Sequence, residues 1–410
     1  MNTQLLKRLT GVGFTSACNV AMTALQSVLL GRLLSIDMFG VTRTATAYMI
    51  MLTMIGHFTL HNALASSVVK KHDSDDISNL IFNASILVLG ISVLTTLFAT
   101  FFILKSGYWD NPVKIPLAIV FICLPLVCLT TTYNACLDAT GEYRTYAVIL
   151  LLNGAIPLFL LVGASKLWSF DGWLAARLIS ALLLFSISFY VIRRHLINVK
   201  FDFTACQQLL TFSRVQIFSG ILSLALLSAD VILLERITHD MATVANYGVA
   251  LLFTSACAFI PATLGRVYFK DVAPNNRQGH RKRKEYLVAI TATAIAFTFG
   301  LYYLGPMLIG LFFGDEYSLG QSIIRVMALG VLFSFLWNAL SVINVAGGKP
   351  KNSVRISAAG SGVGLAALFL LIPEYGGMGA AWAMNSAYAS GVAMGLWLLF
   401  FRRPEVEAPR

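Results

Sequence analysis

Apolar residues run along this chain in long unbroken stretches rather than in alternation. Stretches bounded by charged or turn-forming clusters fall at roughly 10–34, 41–66, 79–104, 115–137, 145–167, 173–194, 209–234, 244–265, 286–313, 319–345, 353–373 and 378–401. Most reach the ~20 residues a helix needs to cross the apolar core of a bilayer, and several exceed it. Continuous runs exclude a membrane β-barrel, whose strands alternate lipid-facing and lumen-facing positions. The pattern therefore predicts an all-α integral membrane protein with about 12 transmembrane helices. The links are short. The longest, about 266–285, is basic.

Composition narrows this further. Of 410 residues, 57% are apolar and 12% charged, the latter about half the share of a soluble domain. Mean hydropathy is +0.76. A soluble enzyme would need far more polar surface, and a disordered chain far fewer apolar residues. Lys and Arg total 30 against 19 Asp and Glu, a net charge of +11. If both termini are cytoplasmic, the outer ends of the spans own eight of these cations: Arg32, Arg43, Lys105, Lys114, Lys166, Arg177, Arg236 and Arg325. The other 22 are cytoplasmic, among them Lys70, Lys71, Arg193, Arg194, the Arg281–Lys284 run, Lys349, Lys351, Arg402 and Arg403. This bias follows the positive-inside rule and requires an even span count. It accounts for the basic balance without nucleic acid as a partner. Met1–Arg8 precedes an apolar run without a small-residue cleavage site, which predicts a retained first helix. Cys18, Cys123, Cys128, Cys136, Cys206 and Cys257 form no C-x-x-C pair and read as small buried apolar residues.

The two halves resemble each other at an offset near 205. Gly141-Glu-Tyr-Arg144, an apolar run and Gly172 match Gly348-Lys-Pro-Lys351, an apolar run and Gly379, with 31 residues from glycine to glycine in both. Asn134 and Asn344 precede these units, and Arg193-Arg194 and Arg402-Arg403 close them. Earlier in each half, Leu29–Ser35 matches Leu233–His239, pairing Arg32 with Arg236 and Gln26 with Asp230. Six spans begin and end on one side of the membrane. The repeat thus predicts two lobes of like orientation, 1–200 and 201–402, followed by a short cytoplasmic tail, 403–410. They would be related by an axis along the membrane normal with a substrate path between them, as in alternating-access transporters.

Particular segments point to a family. Leu209-Leu-Thr-Phe-Ser213, then Ser228-Ala-Asp230 and Ala245-Asn-Tyr-Gly-Val-Ala250, resemble the start of the second lobe of polysaccharide flippases. Gly347-Gly-Lys-Pro-Lys351 and Ile372-Pro-Glu-Tyr-Gly-Gly-Met-Gly-Ala-Ala381 are similar to that family's last two helices, and Gly11 to Gly40 fits its start. The resemblance spans nearly the whole chain and is to Wzx-type O-antigen flippases. These belong to a larger group with multidrug extruders of the MATE type and lipid II flippases. It implies a MATE-like fold of two six-helix lobes in a V. It also implies an undecaprenyl-pyrophosphate-linked oligosaccharide as substrate.

Charges within spans are costly and point to function. Arg32, Arg43, Arg177, Arg236 and Arg325 have too few acids near them in sequence to pair, and a phosphate headgroup suits bidentate arginine. They read as candidate cavity cations, with snorkelling to the lipid headgroups as the competing reading. Arg214 and Arg266 read as cytoplasmic-side charges. Asp230 reads as a coupling site for a proton or sodium ion, or as half of a structural ion pair with an arginine such as Arg236. His57 and His61, one turn apart, form a protonatable pair or hydrogen-bond between helices. The string His-Phe-Thr-Leu-His lacks the glutamate of a metalloprotease helix and a third ligand, so no metal site is expected. Asn19, Gln26, Asn134, Asn153, Gln216, Asn338 and Asn344 are candidate sugar or interhelical contacts. Pro125, Pro157, Pro261 and Pro306 are expected to interrupt spans.

The expectation is a flippase, not an enzyme, moving the lipid-linked glycan to the outer leaflet of the bacterial inner membrane. No cofactor is expected beyond a proton or sodium gradient. Membrane lipids and other polysaccharide-assembly proteins are the expected partners. The alternative within the fold group is a cation-coupled multidrug antiporter. Its cationic substrates would favour cavity acids, and Asp230 is the one clear acid inside a span. A glycan polymerase or glycosyltransferase would need an external catalytic loop or a nucleotide-sugar site, and neither these nor a P-loop is visible.

Overall fold

The computed structural model describes residues 3–68, 74–105, 113–196, 199–214, 228–272 and 277–400. Among them there is no strand, and nine helices are long and apolar enough to cross a membrane. In chain order the helices are α1 (Thr3–Leu33), α2 (Ile36–His57), α3 (Leu60–Val68), α4 (Ser74–Lys105), α5 (Lys114–Ala139), α6 (Tyr143–Ile192), α7 (Ala229–Thr238), α8 (Met241–Cys257), α9 (Phe259–Val272), α10 (Arg277–Phe313), α11 (Ser318–Ala346) and α12 (Pro350–Phe400). Residues 203–214 are also helical.

Two of these elements are too long to be one span. The 50 residues of α6 would reach roughly 75 Å if straight, against a bilayer core of about 30 Å. Instead α6 folds back at Trp168 and Ser169, and Glu142 just before it pairs with Arg194 and His195 just after it. The 51-residue α12 turns likewise at Gly376. Each therefore holds two of the expected spans. The expected span 209–234 is described only in part, because 215–227 lie outside the described residues, as do Lys70, Lys71, Gln216, Arg402 and Arg403.

The chain forms two compact units, one of Met1–Leu224 with Asp240–Ala245, the other of Ala225–His239 with Asn246–Arg410. The sequence repeat is visible within each. Ahead of α6, Thr140, Gly141 and Glu142 donate their amides to the carbonyls of Cys136, Asp138 and Leu137 at 2.9, 3.2 and 3.1 Å. Ahead of α12, Gly347, Gly348 and Lys349 donate to Ile343, Val345 and Asn344 at 2.9, 3.1 and 2.8 Å, the same pattern 207 residues on. Both turns use a left-handed glycine, Gly141 (φ 79°) and Gly348 (φ 75°), where a side chain would be strained. After the two corners, Gly172 packs against the carbonyl of Ala164 and Gly379 against that of Leu371, again 207 residues apart.

Lipid-facing and protein-facing sides separate along the helices. On α4, Leu80, Ile81, Ala84 and Val88 are buried, while Leu94, Leu97, Phe98 and Phe101 are exposed, Phe98 at 72%. Such a surface would drive a soluble protein to aggregate, but in a bilayer the lipid tails cover it. Many small hydroxyl residues bond to a carbonyl of their own helix: Thr132 donates to that of Cys128 at 2.9 Å and Ser85 to that of Ile81 at 2.7 Å. Asn83 of α4 is buried and holds the chain after α6, donating to the Lys200 carbonyl (3.1 Å) and accepting from the Asp202 amide (2.9 Å).

Three expectations change here. The stretch 41–66 is not one helix but α2 and α3, broken at Phe58 and Thr59, both left-handed (φ 50° and 54°). Non-glycine residues there cost about 1–2 kcal/mol each, so the break needs support, which His57 supplies as described below. The stretch 244–265 is likewise split, at Ala258 between α8 and α9. Pro125, Pro157 and Pro306 lie inside continuous helices rather than interrupting them, and Pro261 occupies the first turn of α9, where its missing amide costs no hydrogen bond. The basic run Arg277–Lys284 is the first two turns of α10, where Glu285 pairs with Arg281 (3.0 Å) and Lys282 (2.7 Å), and Arg283 donates to the last carbonyl of α9, that of Val272, at 2.8 Å.

Candidate functional site

Within the first unit, α5 and the two arms of α6 line a half-open cavity of ≈ 260 Å³. Val127, Thr130, Thr131 and Asn134 line it from α5, Asn153 and Pro157 from the first arm of α6, and Arg177, Ser180, Ala181 and Leu184 from the second. The spacings on α5 and on the second arm are both i, i+3, i+4, i+7, so each helix presents one stripe to the cavity. The volume lies just below the roughly 300 Å³ at which small-ligand pockets begin.

The chemistry of the lining is one-sided: a cation, two amides and three hydroxyls, with no carboxylate. No carboxylate ion-pairs with Arg177 among the described residues. Thr130 and Thr131 donate to the Leu126 and Val127 carbonyls of their own helix (2.8 and 2.9 Å), and Ser180 to that of Arg177 (2.9 Å). Their protons are thus committed and their lone pairs face outward as acceptors. Asn134 Oδ1 accepts from Ser188 at 3.5 Å. Asn153 Oδ1 is buried with no hydrogen-bond partner. Four residues on, Pro157 has no amide to give the Asn153 carbonyl. The wall therefore offers a fixed positive charge beside unfilled acceptors, which suits an anionic group that carries hydroxyls.

The sequence grouped five arginines as cavity cations, and only Arg177 lines this cavity. Arg43 lies 5.2 Å over the ring of Phe39, one turn back on α2, a cation–π contact. Arg32 is exposed and Arg236 half-buried, and each, like Arg43, engages another protein group. Arg325 and Arg214 are exposed. The side chain of Arg266 lies outside the described residues. Asn134, Asn153 and Pro157, unsorted among many polar and breaking residues in the sequence, converge with Arg177. Thr130, Thr131 and Ser180 were missed, because hydroxyl residues occur throughout these helices and only helix rotation sets these apart.

Asp230 sits in the interior of the second unit, fully buried in the first turn of α7. Its Oδ2 accepts from the Tyr247 hydroxyl of α8 at 2.6 Å and its Oδ1 from the Val231 amide at 2.8 Å. Arg236 is not its partner: six residues on, it lies more than a full turn along α7, while Tyr247 reaches the carboxylate directly. His57 and His61 do not share a helix, since the α2–α3 break falls between them, yet their rings meet edge to face at 4.3 Å. No group of three metal-ligating side chains occurs among the described residues.

The family model matched by residues 9–269 is that of a polysaccharide biosynthesis protein. The chain belongs to this family. Over 291 residues it is 25% identical to the "Putative O-antigen transporter" of Shigella flexneri, covering 67% of each protein. In fold it is similar to a lipid II flippase, MurJ, in an inward closed conformation (TM-score 0.79, 15% identity, 95% of this chain and 87% of that one). It is also similar to an inward-facing multidrug MATE transporter (TM-score 0.74, 11% identity, 92% and 93%). This polysaccharide biosynthesis protein is thus a multi-pass membrane protein with the all-helical fold those transporters share.

Proposed function

We propose that this chain is a flippase for a lipid-linked oligosaccharide, an O-antigen or capsule repeat unit on undecaprenyl pyrophosphate. It carries the glycan from the cytoplasmic to the outer leaflet of the bacterial inner membrane by alternating access, with both termini cytoplasmic. The observation that carries this reading is Arg177, a cation with no carboxylate partner among the described residues, in a cavity whose other polar lining is amides and hydroxyls. An anionic, hydroxyl-rich headgroup cannot cross ~30 Å of hydrocarbon bare, since each buried polar group costs kilocalories unless it is paired. Arg177 replaces solvent for a phosphate or sugar carboxylate, and Asn134, Asn153, Thr130, Thr131 and Ser180 for hydroxyls. The lipid tail stays in the bilayer, and no bond is made or broken. Family membership and the O-antigen transporter relative support the same substrate class.

The test is deletion of the gene in its own host, with lipid-linked glycan assayed by leaflet. Accumulation on the cytoplasmic leaflet, loss of surface polysaccharide and rescue by the intact gene are expected, with failed rescue by Arg177→Ala. Normal surface glycan and no accumulated intermediate, in a strain freed of other flippases, overturns the proposal. A cation-coupled drug antiporter is the second reading, and buried Asp230 is the feature that favours it. Both oxygens of Asp230 are already occupied, which leaves it poorly placed to bind a cationic drug.

A further inference from the structure

The break between α2 and α3 is built on a histidine. His57 is buried at 6% exposure, and its Nδ1 accepts the Thr59 amide at 3.1 Å. That bond assigns the ring proton to Nε2 and supplies an acceptor to an amide that the left-handed turn takes out of the helix ladder. The next residue pair in contact is His61, whose ring meets that of His57 at 4.3 Å and whose Nδ1 is buried with no hydrogen-bond partner. Thr59 also reaches the chain after the first six spans, its hydroxyl lying 3.5 Å from the Ser213 carbonyl.

The surroundings of the pair are almost uncharged. From α5 the titratable neighbour is Cys128, whose thiol lies 3.7 Å from the Thr53 carbonyl and against Gly56. From α4, Ser92 packs against Gly56, the residue before His57. The 203–214 helix brings Ser213, with Arg214 exposed beside it. Among the described residues no carboxylate pairs with either ring to hold an imidazolium in this arrangement.

We propose that His57 and His61 form a proton-binding site that couples one proton to opening of the α2–α3 break. A proton on His57 Nδ1 turns the acceptor of the Thr59 amide into a donor, so the bond that closes the break is lost. The same proton is then shared by the two rings, one imidazolium donating to the free nitrogen of its neighbour, because two adjacent cations repel. Closed break and bound proton exclude each other, and by linkage whatever opens the break raises proton affinity. The ligand is the proton itself, supplied by the gradient across the membrane. The site is separate from the Arg177 cavity, so the inference does not depend on the cargo proposed above.

The test uses purified full-length protein without substrate. Hydrogen exchange of the 55–62 segment, corrected for intrinsic rates, is followed from pH 8 to pH 5. One linked proton predicts opening that rises about tenfold per pH unit once the pH falls below the ordinary histidine value of about 6.5. His57→Asn separates structure from titration, because an asparagine oxygen accepts the amide two residues on and does not titrate. It keeps the protection seen at pH 8 and abolishes the pH dependence, and His61→Gln flattens the slope. In proteoliposomes with a lumenal pH dye, both variants lose the proton movement of the wild type. If the wild-type slope is absent, or survives both substitutions, the proposal is overturned. Failure of glycan flipping with the slope intact would sink the flippase reading alone.

Discussion

Ser169 and Gly376, 207 residues apart, hold the same backbone corner: φ 52°, ψ −130° in one and φ 51°, ψ −127° in the other. Each opens the turn between two antiparallel arms, and each is followed three residues later by a glycine pressed on a carbonyl of the preceding arm. These angles match the first central position of a type II′ turn, where glycine is at ease and a side chain is not. One half of the repeat satisfies the corner and the other tolerates it.

Ser169→Gly is therefore expected to stabilise the first unit by about 1 kcal/mol, and Gly376→Ser to destabilise the second by about 1–2 kcal/mol. Thermal unfolding of the detergent-solubilised protein measures both. A Ser169→Gly variant that melts lower than wild type would contradict the shared-corner account. Gly172→Ala and Gly379→Ala are expected to be worse than Gly376→Ser, because the added methyl meets backbone, which cannot move aside.

Most of the fold was legible because length and hydropathy alone define a span. The corner at Gly376 was marked by its glycine, whereas that at Ser169 was not. The α2–α3 break left no trace in hydropathy: Gly56-His-Phe-Thr-Leu60 holds no proline, and the turn is made by a histidine side chain. Arg177, Asn134 and Asn153 were legible as polar groups in apolar runs, but not as neighbours. Nearness depends on helix rotation and on the fold-back of α6, which long-range packing sets. Arg32 and Arg325 do not line the cavity that Arg177 lines, a difference hidden for the same reason, since a cation one turn from a helix end looks alike in sequence whether it faces a given cavity or not.

Arg177 is expected to be needed as a fork of donors, not merely as a charge. Arg177→Ala should weaken headgroup binding by roughly 10- to 100-fold, the loss of a charge-assisted contact worth about 1.5–3 kcal/mol. Arg177→Lys should recover only part of it, because an ammonium cannot make the planar bidentate contact. Binding of a radiolabelled lipid-linked oligosaccharide to purified variants gives the comparison. A neutral glycan on a monophosphate carrier, tested beside an acidic one, tells which anion Arg177 meets. Equal affinity of wild type and Arg177→Ala for every ligand would remove this residue from the site.

Asn153 offers a trade between stability and transport. Its Oδ1 is buried without a hydrogen-bond partner and so is an unsatisfied acceptor. Asn153→Leu should leave thermal stability unchanged or raise it by up to about 1 kcal/mol while lowering glycan transport severalfold. Transport at wild-type rate with a raised melting temperature would mean that the cavity face of Asn153 meets no substrate.

Asp230 and Tyr247 test whether the second unit's buried acid is structural. The 2.6 Å bond between them is a short charge-assisted contact in a fully buried setting. Tyr247→Phe removes the donor and leaves a carboxylate oxygen stranded, which should cost about 1–3 kcal/mol. Asp230→Asn keeps one oxygen for the Val231 amide and turns its NH2 toward the Tyr247 hydroxyl, whose oxygen can accept, so it should cost less. If the pair is structural, Asp230→Asn supports surface-glycan export near the wild-type level, and the double variant with Tyr247→Phe is less destabilised than the two single losses summed. Export lost in a well-folded Asp230→Asn protein would instead make this carboxylate a coupling site. Measuring export under dissipated proton and sodium gradients in turn would then name the ion.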